Sequence, residues 1–331
     1  MRREVKVLSG ADLAKLLTLS DVIPAIESAY LAAAQQAAQL YPVVREPLDT
    51  GGVFGIKSGY WPDQGSLGLK VAGYWPQNRE RGLDNHQAMV VLIEPATGVP
   101  RAIIDGNFIT AIRTSAAGAI GLKQLARTDV RTALIVGTGV QAEAQARALA
   151  WWQPGIEIMV SEPLDTDGQP MVQAFCARLE GRGICCRVAG VLEEAAGAAD
   201  VIVTTTPARK PVIHRDWLSP GVHVNAMGSD TAGKQEHQID TLRDSLVIVD
   251  DWPQASRLGE CQHAVAAGLF TDEQHPHSIG DIIAGKAPGR TSTSQMTLFD
   301  ATGLALQDLA AAELAASLAD QRQAGTIIQL D

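Results

Sequence analysis

The alternation of apolar and polar positions divides this chain into two textures. Apolar residues recur at helical spacing from Asp21 to Gln39, in DVIPAIESAYLAAAQQAAQ, which predicts a helix with Pro24 in its first turn. Short extended segments punctuated by glycine follow: VFGIKSGYW, LGLKVAGYW and QAMVVLIEPATGVPRAIID, where PATG is a turn signal between two apolar runs. They predict an antiparallel or mixed sheet, and ITAIRTSAAGAIGLKQLAR then predicts a helix of small and apolar residues. From Val130 the texture changes. RTALIVG, IEIMVSE, ADVIVTTT, GVHVNAMG and LVIVDD read as strands, and VQAEAQARALAWW and MVQAFCARLEGRG as helices, which is the pattern of a parallel sheet with helical crossovers. The closing FDATGLALQDLAAAELAASLADQR predicts one long helix that begins after Gly303 and returns to pack on the N-terminal unit.

The fold class expected is therefore α/β: a Rossmann-type doubly wound parallel sheet, residues 128–297, plus a smaller α+β domain built from residues 1–127 and 298–331. A length of 331 residues agrees with two domains. The net charge of −10 argues against nucleic acid or an anionic membrane as the main partner, while leaving room for a local cationic cleft. Cys176, Cys185, Cys186 and Cys261 form no CxxC pair and read as reduced structural thiols. No apolar stretch approaches the ~18 residues that would span a bilayer, and a cytoplasmic location is expected.

One strand carries a conspicuous charge. In SLGLKVAGYW, alternation places Gly68, Lys70 and Ala72 on one face and Leu67, Leu69 and Val71 on the other. A lone strand lysine is most often an edge device against aggregation. Other cations sit in comparable surroundings: Arg45 in YPVVREP, Lys57 in GIKSGY and Arg113 in TAIRTSAAG. Each alone is more often a solvated charge than a ligand.

A phosphate-binding turn is legible. The strand TALIV runs into Gly137, Thr138, Gly139, Val140, Gln141 and Ala142 and then into a helix. Gly137 permits the tight turn, Gly139 lets backbone approach a pyrophosphate, and Ala142 lets the helix lie close to the strand. The next strand ends at Ser161 and Glu162, where a carboxylate accepts from ribose hydroxyls and repels a 2′-phosphate, so NAD is expected rather than NADP. Thr205, Met227 and Gly228, at later strand ends, are read as lining the same dinucleotide. Glu260 and His263 have the spacing ExxH, and His275 with His277 forms HPH, but no full ligand set accompanies them and no metal site is expected. His214, His223 and His237 receive no functional role.

The chain resembles the ornithine cyclodeaminase/mu-crystallin family through LGLKVAGYWPQN, PATGVPRAIIDGNFITAIRTSAAGA, GTGVQA, MGSDTAGKQE and GRTSTSQMTLFDATGLALQDLAAAEL, in that order. The resemblance implies a dimerising substrate domain made from the N-terminal part and the C-terminal helix, and a Rossmann domain. It implies that Arg45 and Arg113 grip a substrate carboxylate, that Lys70 is the active-site lysine, and that Asp230 faces the substrate nitrogen. Ser292 and Thr293, in the loop before the last helix, would touch the nicotinamide or serve only as a helix-entry loop. Two places differ from the usual family pattern: KSGYWPDQG replaces a Met-Pro-Ala segment, and Ala301 stands where a serine is usual. YPVVRE, FGIKSGY, NHQA and LGECQHAVAAGLF are most similar to the iminosuccinate reductase branch, which implies NADH-dependent reduction of a small α-imino acid to L-aspartate. Lys57 and His86 are then the candidates for a second carboxylate. Alternatives are ornithine cyclodeamination, reduction of pyrroline-2-carboxylate or another cyclic ketimine, alanine dehydrogenation, and non-catalytic NAD(P)H-linked ligand binding.

Overall fold

Reciprocal side-chain caps set the first helices. Ser9 and Asp12 exchange hydrogen bonds at the start of α1 (Gly10–Leu16), and Thr18 and Asp21 do so at the start of α2 (Leu19–Ala34), which satisfies free first-turn N–H groups. The second box moves the helix start ahead of Asp21. Pro24 therefore lies inside the helix rather than in its first turn, where its ring removes one backbone hydrogen bond. The helix stops at Ala34, short of the expected Gln39, with Gln36 in the left-handed region at φ 55°.

The computed structural model describes residues 3–163 and 169–330. The chain divides into two compact units, Met1–Arg113 with Leu304–Asp331, and Thr114–Gly303. These divisions fall at different places from the sequence expectation, the first of them inside the helix α3 (Gly106–Leu125).

The first unit is built on a mixed sheet of β1 (Arg3–Leu8), β2 (Gln39–Leu40), β3 (Val44–Pro47), β4 (Val53–Trp61), β5 (Ser66–Tyr74), β6 (His86–Ile93), β7 (Pro100–Asp105) and the C-terminal strand Thr326–Leu330. β4 to β7 form an antiparallel meander, β1 pairs parallel with β7, and the C-terminal strand closes antiparallel on β1. That last pairing joins the two ends of the chain and had no signal in the local pattern. β5 lies between β4 and β6, so the edge-strand reading of Lys70 does not hold. The C-terminal helix Ala305–Gln321 covers this sheet, and glycine is what admits it. A Cβ on Gly68 would lie 2.9 Å from Leu309 and 2.4 Å from the Val91 carbonyl, and one on Gly59 would lie 2.7 Å from the Gln39 carbonyl and 3.5 Å from Leu306. The helix starts at Ala305, just after Gly303 as expected, and the Phe-Asp segment ahead of it belongs to a strand of the second unit.

That unit holds a parallel sheet of β8 (Thr132–Val136), β9 (Glu157–Ser161), β10 (Cys186–Val188), β11 (Val201–Thr204), β13 (His223–Ala226), β15 (Ser245–Val249), β16 (His277–Ser278) and β17 (Met296–Asp300). A separate two-stranded ribbon pairs β12 (Arg209–Ile213) with β14 (Gln235–His237). The order β10-β9-β8-β11-β13-β17-β15-β16 has chain crossing over to opposite sides of β8, which is the doubly wound arrangement of the Rossmann type. The strands are buried nearly throughout, as covering both faces of a parallel sheet requires. Among the described residues no single helix is long and apolar enough to cross a membrane.

Candidate functional site

In the first unit the sheet pairing gathers the cations. Lys57 and Lys70 are direct cross-strand partners of β4 and β5, so their side chains leave the same face side by side. Arg45 pairs with Gly55, two residues along, and its side chain crosses that glycine: a Cβ there would lie 3.2 Å from Arg45 Nη1. His86 pairs with Tyr74, which shares the Lys70 face, and its Nδ1 is 3.0 Å from Asn107 Oδ1. Strand alternation thus puts Arg45, Lys57, Lys70 and His86 on one face.

Arg113, from α3, completes the group through a residue that the sequence analysis did not single out. Asp308, in the first turn of the C-terminal helix, accepts from Lys70 Nζ at 2.8 Å and from Arg113 Nε at 3.0 Å through the same oxygen, Oδ1. Lys70 also donates to Thr110 Oγ1 at 3.2 Å. Gln307 accepts from Arg113 Nη1 at 3.4 Å and donates to the Tyr30 hydroxyl at 2.6 Å. Burial is nearly complete: Lys57 and Arg113 are 8% exposed, Lys70 4% and Asp308 1%. Desolvation lowers the Lys70 pKa to about 7, aided by the charges of Arg113 and Lys57 and opposed by Asp308. Burial also pushes the Asp308 carboxyl up, but Lys70 and Arg113 outweigh it and hold the group below its ordinary value. Of the three N–H bonds of a protonated Lys70, two are used among the described residues, and Arg113 bonds through Nε and Nη1, with no bond from Nη2 among the described residues.

The second unit supplies the phosphate turn. Ser161, Val136, Thr204 and Ala226 pair in one row across β9, β8, β11 and β13, so the carboxyl ends of these strands lie together, the place where doubly wound sheets hold ligands. Gly137 has φ 118°, and a Cβ on it would lie 2.5 Å from Thr205 Oγ1, so only glycine suits the position. Gly139 opens helix α4 (Val140–Trp152), and a Cβ there would meet no atom of the described residues within 4 Å, which leaves the backbone open to approach. The leading N–H groups of Val140 and Gln141 have no partner within the helix by its geometry, and Ala142 is fully buried against the strand side. This donor set fits a pyrophosphate. Glu162 accepts from Thr138 Oγ1 at 3.1 Å, which ties this carboxylate to the turn. Met227 and Gly228 follow β13, with the Met227 N–H bonded to the Thr204 carbonyl at 2.9 Å.

Ser292 does not belong to this end. It precedes β17 rather than the last helix, and β17 runs parallel to β13, with Thr297 opposite His223. The 291–294 segment therefore lies at the amino ends of the strands, a strand length from the Gly137 turn, and the nicotinamide role expected for Ser292 is withdrawn.

Asp230 lies half-exposed in the loop after β13. Its Oδ1 accepts from Lys234 Nζ at 2.7 Å and from Thr231 Oγ1 at 3.0 Å. Lys234, a second residue absent from the sequence reading, also bonds the Gly228 carbonyl at 3.0 Å. Beneath this loop are two buried carboxylates. Glu236 accepts from Thr206 N–H and Oγ1, Thr204 Oγ1 and Gly228 N–H, and Glu260 accepts from Ser229 Oγ and from the N–H groups of Glu236 and His237. Burial raises both carboxyls, and Glu236 raises Glu260 further. Glu260 is thus occupied as a loop anchor, and His263 Nε2 lies 2.9 Å from the Lys234 carbonyl. Among the described residues no group of three or more His, Cys, Asp or Glu is placed to hold a metal ion. His223 and His237 are core residues that burial brings down to about 3, hence neutral.

Residues 3–321 match the family model described as ornithine cyclodeaminase/mu-crystallin. The chain belongs to this family. Two curated relatives are equally similar in sequence: an alanine dehydrogenase of Archaeoglobus fulgidus, 34% identical with 98% of each chain covered, and an iminosuccinate reductase of Paracoccus denitrificans, 34% identical over 96% of this chain and 97% of that one. The crystal structure of the latter with NAD+ has a TM-score of 0.89 at 33% identity, covering 99% of this chain and all of that one. Thermococcus litoralis Δ1-pyrroline-2-carboxylate reductase, in complex with NADH and L-proline, gives 0.91 at 29% identity, covering 97% of this chain and 99% of that one. The family fold and its dinucleotide-binding relatives agree with the α/β architecture described above.

Proposed function

We propose that this protein is an NADH-dependent reductase of small α-imino acids, with iminosuccinate, giving L-aspartate, as its substrate. The observation that carries this reading is the buried pair of lysines directly opposite each other on β4 and β5. Two cations so placed, beside Arg45 and Arg113, outnumber the one carboxylate of Asp308 and suit a ligand that carries two carboxylates. Arg45 and Arg113 hold the α-carboxylate with guanidinium forks, and Lys57, with His86, holds the distal one. Lys70 donates to the bound carboxylate and relays the proton that the nitrogen takes up as hydride adds to the imine carbon. Asp230 stabilises the positive charge of the iminium, oriented by Lys234. Bound at the Gly137 turn, a nicotinamide dinucleotide supplies the hydride, and the NAD-bound relatives support that choice of cofactor. Ornithine is disfavoured, because its distal ammonium would meet Lys57 rather than an acid. The reading includes a homodimer, as in the archaeal alanine dehydrogenase dimer with bound NAD.

The test is NADH oxidation with oxaloacetate plus ammonia, against pyruvate plus ammonia, and against ammonia release from ornithine without net change in NADH. The dicarboxylate mixture is expected to turn over fastest. Proline formed from ornithine, with no NADH oxidised in the first mixture, overturns the reading. Alanine production as fast as aspartate production overturns the distal role of Lys57 alone.

A further inference from the structure

The residue that organises the cationic cluster is itself an anion, and it reaches the cluster from the far end of the chain. Asp308 touches Lys70 238 positions away and Arg113 195 positions away through one oxygen. Its other oxygen, Oδ2, is buried without a hydrogen-bond partner among the described residues. A carboxylate that served only to neutralise two cations would gain more by offering each its own oxygen. Converging both donors on Oδ1 fixes instead the separation of Lys70 Nζ and Arg113 Nε, each 2.8–3.0 Å from one atom. The oxygen is immobile in turn: Asp308 lies in the first turn of its helix, where the helix end favours a negative charge, and the preceding Gln307 holds the Leu304 N–H at 2.8 Å and the Tyr30 hydroxyl at 2.6 Å.

We propose that Asp308 is the positioning residue of this site: it sets the spacing of Lys70 and Arg113 as a pair of carboxylate donors and governs how firmly Lys70 holds its proton. The proposal rests on the reading above for the identity of the ligand, and its second half is independent of any ligand. The charges that face Lys70 are Lys57 from β4, Arg113 from α3 and Asp308 from the C-terminal helix. Asp308 is the anion among them, so removing its charge leaves burial and two cations to expel the proton. In the imine-reducing direction the protonated lysine is the productive form, so activity falls as pH rises through about 7. Asp308→Asn moves that limb toward acid.

The experiment follows the lysine itself. Protein labelled with ε-13C lysine is titrated by NMR, with the Lys70 signal assigned by its loss in Lys70→Met, and the titration is repeated for Asp308→Asn and Asp308→Glu. Thermal melting and NADH fluorescence titration verify that each variant is folded and binds dinucleotide. The Asn variant is expected to titrate at least about one pH unit more acid, with kcat/KM lower by about 10²-fold. The Glu variant keeps the charge and shifts the carboxylate, so its lysine titrates near the wild-type value while KM for the imino acid rises. If Asp308→Asn does not fold, the Glu variant carries the test by that split of KM from titration. An unmoved Lys70 titration in folded Asp308→Asn, or a Glu variant with wild-type KM, overturns the proposal. A moved titration in a protein that turns over no imine leaves Asp308 in its role and overturns the function instead.

Discussion

Each unit buries charge, and the two do so in opposite ways. The first buries cations: Lys57, Lys70 and Arg113 gather on and over one sheet face, with Lys70 and Arg113 bonded to a single carboxylate oxygen of Asp308. The second buries acids, with Glu236 and Asp300 at 0% exposure and Glu260 at 1%. Its acids are anchored largely to backbone N–H groups: Thr206 and Gly228 for Glu236, His237 for Glu260, and Cys261 for Asp300 at 2.9 Å. Backbone donors are fixed by the fold, so such acids serve to pin loops. Side-chain donors that converge with N–H bonds to spare serve a ligand. A buried ionisable group is therefore read by what faces it, and depth alone says little.

The comparison breaks most visibly at Lys70. Lys70→Met should lower kcat/KM by about 10³-fold while leaving NADH affinity within a factor of two or so, as measured by steady-state kinetics and fluorescence titration. Wild-type turnover would mean that the cationic cluster is structural, like the acid one. Glu260 tests the other side. Glu260→Leu leaves Ser229 Oγ and two N–H groups without their acceptor and should cost about 3 kcal/mol in denaturant unfolding, whereas Glu260→Gln keeps one acceptor oxygen and should cost less. Equal losses would remove the loop-anchor account.

The pH dependence of stability sharpens the contrast further. Lys70 has a folded pKa near 7 against 10.5 unfolded, so the unfolded chain binds the extra proton between these values and stability from this group rises with pH across that window. Burial raises Asp300 to about 7 from 3.8, helped by the Asp250 charge, so the native state holds the extra proton and this contribution falls as pH rises from 3.8 to 7. Urea unfolding at three pH values should show Lys70→Met flattening the alkaline side and Asp300→Asn flattening the acid side. Interchanged effects would show that the two assignments are reversed. The smallest effect is expected at the ribose-side carboxylate: Glu162→Ser should relax discrimination against NADPH by about tenfold, and a wild-type protein that already prefers NADPH would refute the role given to Glu162.

What the sequence determined by itself is what short-range regularity encodes. The alternation in SLGLKVAGYW placed Gly68, Lys70 and Ala72 on one face, and the strand, glycine turn and helix around Gly137 were all legible within a dozen residues. Lys70 and Arg113 stood out because charges in apolar or glycine-rich runs violate the local pattern, whereas Asp230 was marked only by the family resemblance. Asp308 violates its apolar helix in the same manner, and its significance stayed hidden because nothing local joins it to a lysine 238 positions earlier. Tertiary structure alone decided that partnership, the closure of the C-terminal strand on β1, and the location of Ser292 at the amino end of β17. Local sequence sets which face of an element a side chain leaves, whereas the strand order and crossovers set which elements meet, and those depend on the burial of the whole chain.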